Sequence, residues 1–437
     1  MLVPTYRVGG MAEQLTFDAL PVALKRAIFR AVPVDTRMRC AEVSPSWRRI
    51  LADTSLWTTL DVSDAARLDA PLTEALLRAA VLRAGGQLSC LVATLPSYPA
   101  DTLRSVPELL RALAASAASL RELHLYSHNQ HIGFCLLGLE DVRELACELP
   151  ALTLLECGLS FHAHGHRGAD PFADLPPLLR CEPPFRALAL RSIHMVCDRR
   201  TPLEPWPTFC STAAACTSLE VLVLIGAPLD VAAMAALVDA ALTNRLKRLG
   251  LHACFLAVGS CPMLARLLRE GALESLEILS PAGWLHDDPE ISAPLLDALT
   301  SGVRACNTLQ HLFLSGRHLW KRGQASMDVG LLGALVAHPT LRTISLGSDE
   351  CADGVDEEVG AALAALVVAN SPVLTVLDVS FCSLRDEALA PLLAALPHNT
   401  HLRTLDVTCH KASAAFALDV LEPAAAASGG VLKRWLS

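Results

Sequence analysis

The sequence predicts an α/β solenoid, a stack of strand, turn and helix units preceded by a small trihelical module. Three observations carry that prediction. A leucine pattern, L-x-x-L-x-L-x-x-(C/x)-x-L, returns at intervals of roughly 27 to 36 residues. Between its copies lie stretches with apolar residues at helical spacing. The N-terminal residues lack the pattern and read instead as short helices.

The pattern is cleanest at Leu149/Leu152/Leu154/Cys157/Leu159, Leu219/Leu222/Leu224/Ala227/Leu229, Leu246/Leu249/Leu251/Cys254/Leu256 and Leu374/Leu377/Val379/Cys382/Leu384. Weaker copies begin at Leu88, Leu120, Phe185, Leu273, Leu309, Leu341 and Leu402, and a first one reads Trp57/Leu60/Val62. That makes about a dozen repeats, the last truncated at Leu432/Trp435 and serving as a cap. The L-x-L pair has period two, so it makes a short strand with its leucines inward, and the ninth position turns the chain back. Residues 231–241, 291–305, 355–369 and 384–396 are the return helices, often with acidic residues at their start, where the helix dipole favours them. This unit is the leucine-rich repeat of the ribonuclease-inhibitor-like kind, which builds a horseshoe. A doubly wound α/β domain needs longer Val/Ile strands and a glycine-rich phosphate loop, and the sequence has neither.

With 52% hydrophobic and 19% charged residues over 437 positions, the chain has the material for a large core, which excludes global disorder. A net charge of -9 offers no basic footprint for phosphate backbones, so no nucleic acid is expected as a partner. Mean hydropathy is +0.39, yet apolar stretches such as 231–243 are short and broken by Asp239, so no membrane association is expected. The first ten residues lack the basic and apolar regions of a signal peptide. The fifteen cysteines include no C-x-x-C pair and are odd in number, which suits free thiols in a reducing compartment. The expected location is cytoplasmic, nuclear or both.

Residues 15–57 contain three helical patterns. Leu20-Pro21 opens the first, with Ile28, Phe29 and Val32 on one face. Val34-Asp35 is expected to cap the second, Arg37 to Val43. Ser44, followed by Pro45, caps the third, whose Trp47, Ile50 and Leu51 form a stripe ahead of Leu56-Trp57. So small a unit cannot hide these groups alone; it must pack on the repeats, on a partner, or on both.

The order Leu-Pro, Ile, Val, Pro-x-Asp, Val, Trp-Arg-Arg and Leu-Trp resembles the F-box, the module by which substrate receptors hang from the Skp-family adaptor of cullin-RING (SCF) ubiquitin ligases. Joined to leucine-rich repeats, it resembles the F-box/LRR family. That resemblance implies that Leu20, Pro21, Ile28, Val32, Val43 and Trp47 form or support the adaptor interface. Two departures stand out: Pro21-Val22-Ala23 lacks the usual acidic residue, and Val43-Ser44-Pro45-Ser46 replaces the usual Cys or Ser pattern before the tryptophan. The alternative is that the segment is only an N-terminal cap of the repeats. The expected division is a flexible leader at 1–14, an F-box at 15–56 and repeats over 57–437.

In a strand x-L-x-L-x the residues beside the leucines point to the concave face. The middle repeats there combine aromatic, cationic and branched apolar groups, the composition of a binding hot spot. The candidate substrate-binding residues are Tyr126, Arg191, Ile225, Arg248, His252, Glu277, His311 and Phe313, with Val221 and Val223 beside them. The alternative is that Val221, Val223 and Ile225 face a crowded interior. Toward the C-terminus the same positions are polar, as at Thr343, Ser345, Asp378 and Asp406.

No cofactor, metal site or catalytic residue is expected. His162, His164 and His166 have no carboxylate or cysteine at ligand spacing and read as a solvated loop, and His124, His128 and His131 as a scattered polar cluster. Asp287-Asp288 and Glu357-Glu358 read as turns or helix starts, and no nucleophile elbow or phosphate loop occurs. The resemblance implies a non-enzymatic substrate-recognition subunit that bridges a Skp-family adaptor, with its cullin, to a protein substrate. Alternatives are a non-degradative repeat scaffold, or a small-molecule sensor of the plant hormone receptor kind with residues 160–184 and 195–217 overhanging Arg191 and Arg248.

Overall fold

The computed structural model describes residues 17–62, 79–95, 113, 116–127, 136–137, 139–161, 189–197, 209–210, 219–279, 289–315, 329–336, 338–347, 357–382, 384–408, 412–428 and 430–433. The chain divides into two compact units, Met1–Gly158 with Pro184–Ala189 and Leu159–Pro183 with Leu190–Ser437, and each is described by itself. His128, His131, His162, His164, His166, Phe185, Asp287, Asp288 and Trp435 lie outside the described residues, as do most of 160–184 and 195–217.

The first unit opens with helices α1 (Val22–Ala31), α2 (Val34–Val43) and α3 (Pro45–Leu51). Ser44 caps α3 as expected: its Oγ accepts from the Trp47 backbone N–H at 3.2 Å, and Pro45 follows at a position that needs no N–H. The start of α2 differs from expectation. The helix begins at Val34, so Asp35 falls inside the first turn. The N-cap is Pro33, whose ring holds it extended at φ -51° and ψ 149° and thereby sets the boundary.

Strands β1 (Thr59–Val62), β2 (Cys90–Leu95), β3 (Glu122–Ser127), the two-residue β4 (Leu136–Leu137) and β5 (Leu154–Phe161) follow, with α4 (Leu139–Glu148) ahead of β5. β1, β2, β3 and β5 pair in parallel, and the register sets Leu60, Leu91, Leu123 and Leu155 in one row. All four are fully buried. This row corrects one expected repeat. Leu149, Leu152 and Leu155 are all leucine and all buried, so the L-x-x-L spacing fits two frames; strand pairing selects the one beginning at Leu152, with Leu155 inward and Leu154 half-buried.

The second unit repeats the scheme. Its parallel sheet runs β6 (Ala189–Cys197), β7 (Val221–Ile225), β9 (Arg248–His252), β11 (Ser275–Leu279), β12 (His311–Ser315), β13 (Thr343–Ser345), β14 (Val376–Asp378), β15 (Thr404–Asp406) and β16 (Leu432–Lys433). A second short sheet pairs β8 (Pro228–Leu229) with β10 (Phe255–Leu256). Leu222, Leu249, Leu276, Leu312, Ile344, Leu377 and Leu405 form one inward row, none more than 2% exposed. Burying each such side chain stabilises the fold by roughly 1.5–3 kcal/mol. The repeat expected to begin at Phe185 is also corrected. Ile193 and Met195 align with Leu222 and Leu224, so the register sets the strand positions of this repeat at 193 and 195.

Helices α5 (Val231–Asn244), α6 (Cys261–Glu270), α7 (Pro289–Ala305), α8 (Val329–Leu335), α9 (Glu357–Val368) and α10 (Asp386–Ala395) alternate with the strands, four of them where the periodicity predicts. Glu357 and Glu358 occupy the first turn of α9, and Asp386 and Glu387 that of α10, beside the positive end of the dipole. At Gly360 a Cβ would lie 2.4 Å from the Ala388 Cα, so glycine lets α9 and α10 approach backbone to backbone.

Two recurring hydrogen bonds tie several of the described repeats to the one before. The hydroxyl just ahead of a repeat's first leucine donates to the carbonyl of the previous repeat's first leucine: Ser119 to Leu88 at 2.7 Å, Thr308 to Leu273 at 2.9 Å and Thr340 to Leu309 at 2.7 Å. The thiols of Cys254 and Cys382 donate to the Leu224 and Leu346 carbonyls at 3.2 and 3.1 Å. Burial pushes the Cys254 thiol up to about 12, so it stays protonated and able to donate. The described cysteines are free thiols. Among the described residues no helix is long and apolar enough to cross a membrane.

Candidate functional site

Two surfaces concentrate the residues singled out from the sequence. The first is the trihelical module. Phe17, Phe29 and Trp47 form an aromatic cluster, with ring centroids 5.4 Å apart for Phe17 and Phe29, 4.7 Å for Phe17 and Trp47 and 5.8 Å for Phe29 and Trp47. Trp47, half-buried, therefore packs within the module against the buried Phe29. Leu20, Ile28 and Val32 are half-buried, while Pro21 is exposed and Val43 is 66% exposed. Val22 and Leu24, which the sequence pattern did not single out, are 51% and 47% exposed. Large apolar side chains left this open on one small module are the feature a partner covers.

The module is also clamped to the first repeat. Arg37 is buried; its Nε donates to the Val32 carbonyl at 2.9 Å and its Nη1 to the Leu56 carbonyl. Its guanidinium lies 5.4 Å from the Trp57 ring centroid, as does that of Arg83. The Trp57 indole N–H donates to the Leu51 carbonyl at 2.9 Å. Nothing in the sequence marks Arg37, because an arginine defaults to solvent unless a partner for its five N–H groups is known.

The second surface is the face of the second unit's sheet opposite the inward leucines. Glu277 on β11 is 7% exposed at its side chain, accepts from Arg248 Nε at 2.7 Å and meets His252 Nε2 at 3.1 Å, both from β9. The strand register explains how. Gly250 lies directly opposite Glu277, flanked by Arg248 and His252, and a Cβ there would come within 3.0 Å of the imidazole and 2.9 Å of Val223 Cγ1. The missing side chain lets both partners fold over it. Burial pushes the Glu277 carboxyl up, but the hydrogen bonds from His252 and Arg248 outweigh it and hold the group below the ordinary carboxylate value.

Around this cluster, Ile225 is aligned with His252, and Phe313 with Glu277. The His311 and Phe313 rings stack with centroids 6.5 Å apart. Burial, together with the charge of Arg342, lowers the His311 pKa. The sheet thus brings together Ile225, Arg248, His252, Glu277, His311 and Phe313. Arg191 sits on β6 one residue before Ser192, which aligns with Val221, so it is out of the row that Arg248 and His311 share. Tyr126 belongs to the other unit, on β3 opposite Thr94. Of the three apolar residues on β7, Val223 is buried at 1% exposure against Gly250, whereas Val221 and Ile225 are half-buried. Toward β14 and β15 the carboxylates serve their own turns: Asp378 accepts from the Ser380 N–H at 2.9 Å and Asp406 from the Thr408 N–H at 3.0 Å.

A family described as F-box-like matches residues 17–63. F-box/LRR-repeat protein 12 of Bos taurus is 29% identical over 185 residues, 41% of this chain and 51% of that protein, so the chain spans about half the length of the curated relative it matches. Among solved structures, the Rad7 and Elc1 complex in yeast has a similar chain at a TM-score of 0.39, with 14% identity over 90% of both chains. An internalin from Listeria monocytogenes has a TM-score of 0.31, with 12% identity over 86% of this chain and 93% of that one.

Proposed function

We propose that this chain, an F-box-like domain joined to leucine-rich repeats, is a substrate receptor of an SCF-type ubiquitin ligase. Residues 15–56 dock on a Skp-family adaptor and through it a cullin, and residues 57–437 hold a protein substrate. The observation that carries this reading is the contrast within the module: Phe29 is buried against Trp47, while Val22, Leu24 and Val43 stay open to solvent beside Pro21. A module that only capped the repeats would turn such side chains inward.

In this reading the adaptor surface contains Leu20, Pro21, Ile28, Val32 and Val43, with Trp47 supporting it from beneath. The substrate sits on the sheet face over Ile225, Arg248, His252, Glu277, His311 and Phe313, while Tyr126 and Arg191 belong to a wider contact. The receptor carries out no chemistry; its contribution is to hold the substrate near a conjugating enzyme. Co-purification tests both halves. Leu20→Ala with Pro21→Ala should lose adaptor and cullin and keep clients, whereas Phe313→Ala should lose clients and keep the adaptor, since aromatic anchors at an interface centre cost about 2 kcal/mol or more when truncated. Retention of adaptor by the first variant and of all clients by the second would reject the reading.

A further inference from the structure

We propose that Cys90, Glu122 and His124 form a three-ligand site for a thiophilic divalent metal of the zinc class, bridging β2 and β3. The sheet register builds it. Cys90 lies directly opposite Glu122, and His124, two residues further along β3, projects from the same face. One ligand atom from each lies within 4.8 Å of the others, and the His124 Nε2 to Glu122 Oε2 separation is 3.8 Å. Tetrahedral zinc with bonds near 2.1 Å sets such atoms about 3.4 Å apart, so small rotamer adjustments close the site.

The donor set selects the metal. Thiolate and imidazole are soft or borderline ligands that favour Zn2+ over Mg2+ or Ca2+, and the carboxylate supplies a second negative charge. The His124 side chain is 16% exposed and that of Glu122 50%, so the imidazole is partly covered while the carboxylate stands at the rim. Three protein ligands leave a fourth position for water or a partner's side chain. On binding, the Cys90 thiol releases its proton to solvent as the sulfur–metal bond forms, with no change in oxidation state. The ligands come from strands a full repeat apart, which is why no local spacing announces them.

Titration of the metal-stripped full chain with Co2+ tests this, because a thiolate ligand gives cobalt a near-ultraviolet charge-transfer band. The wild type should bind one Co2+ with that band, and Zn2+ should displace it. Cys90→Ser should remove the band, which also separates this thiol from the others. His124→Ala should weaken binding by more than the roughly 10–100-fold that loss of an outer-shell partner costs. Zn2+ should raise the melting temperature of the wild type and of neither variant. The proposal is overturned if Cys90→Ser binds Co2+ with unchanged band and affinity. It is equally overturned if the wild type shows no thiolate band, which would leave the three side chains as neighbours that hold no metal. Should Cys90→Ser fail to fold by circular dichroism, the affinity of His124→Ala decides.

Discussion

Glu277 shows how one buried charge organises a surface. Its carboxyl is held below the ordinary value in the folded chain, so its contribution to stability is complete above the unfolded carboxylate pKa and is lost as pH falls through the lowered folded value. The melting temperature of the wild type should therefore exceed that of Glu277→Gln at neutral pH, and the gap should close on acidification. A gap independent of pH would show that the carboxylate is not held by its partners. Arg248→Ala leaves that carboxylate facing only His252, and removing a partner from a buried group costs about 1–3 kcal/mol. Alternation alone makes Arg248 an outward cation whose loss leaves stability nearly unchanged; its ion pair with Glu277 predicts a loss instead. Chemical denaturation of Arg248→Ala, alone and with Glu277→Gln, measures the coupling. In the module the contrast is between Trp47 and Val43. Trp47→Ala should destabilise the module by about 1–3 kcal/mol through loss of the aromatic cluster, whereas Val43→Asp, at a 66% exposed position, should leave the melt almost unchanged.

At the scale of the element, the leucine pattern specified the strands and the return helices because both rest on periodicity. Where it erred, the error was one of frame: leucine at 149, 152 and 155 satisfied the same spacing twice, and Ile193 and Met195 occupy the register positions of Leu222 and Leu224, which a search for leucine passes over. Residues that act across repeats were the least legible. The hydroxyls of Ser119, Thr308 and Thr340 recur just ahead of a leucine, a signal present in the sequence, yet their acceptors become visible only when successive repeats are stacked. The same holds for Glu277 and its two partners, which meet through strand register. Two substitutions test the packing. Leu251→Asp places an unpaired charge among the inward residues and should unfold the neighbouring repeats in a thermal melt. Gly360→Val should cost about 1–3 kcal/mol, since its Cβ would meet the Ala388 backbone at 2.4 Å. A melt unchanged by either would contradict the register or the helix contact.

At the scale of the whole molecule, we propose that the chain separates two tasks. The trihelical module keeps its apolar residues open while Arg37 and Trp57 fasten it to the first repeat, and the sheet face of the second unit carries a neutralised charge cluster bordered by Ile225 and Phe313. Adaptor and substrate are proposed to bind at these separate places, so each should be removable without the other. The most direct test is quantitative co-purification of the adaptor with the chain carrying Val43→Asp, Leu20→Ala and Pro21→Ala together, alongside the wild type. Adaptor and cullin should accompany the wild type and fall to background with the variant, whose repeats melt at an unchanged temperature and whose clients persist. Equal adaptor recovery with both chains, or none with the wild type, would contradict the account.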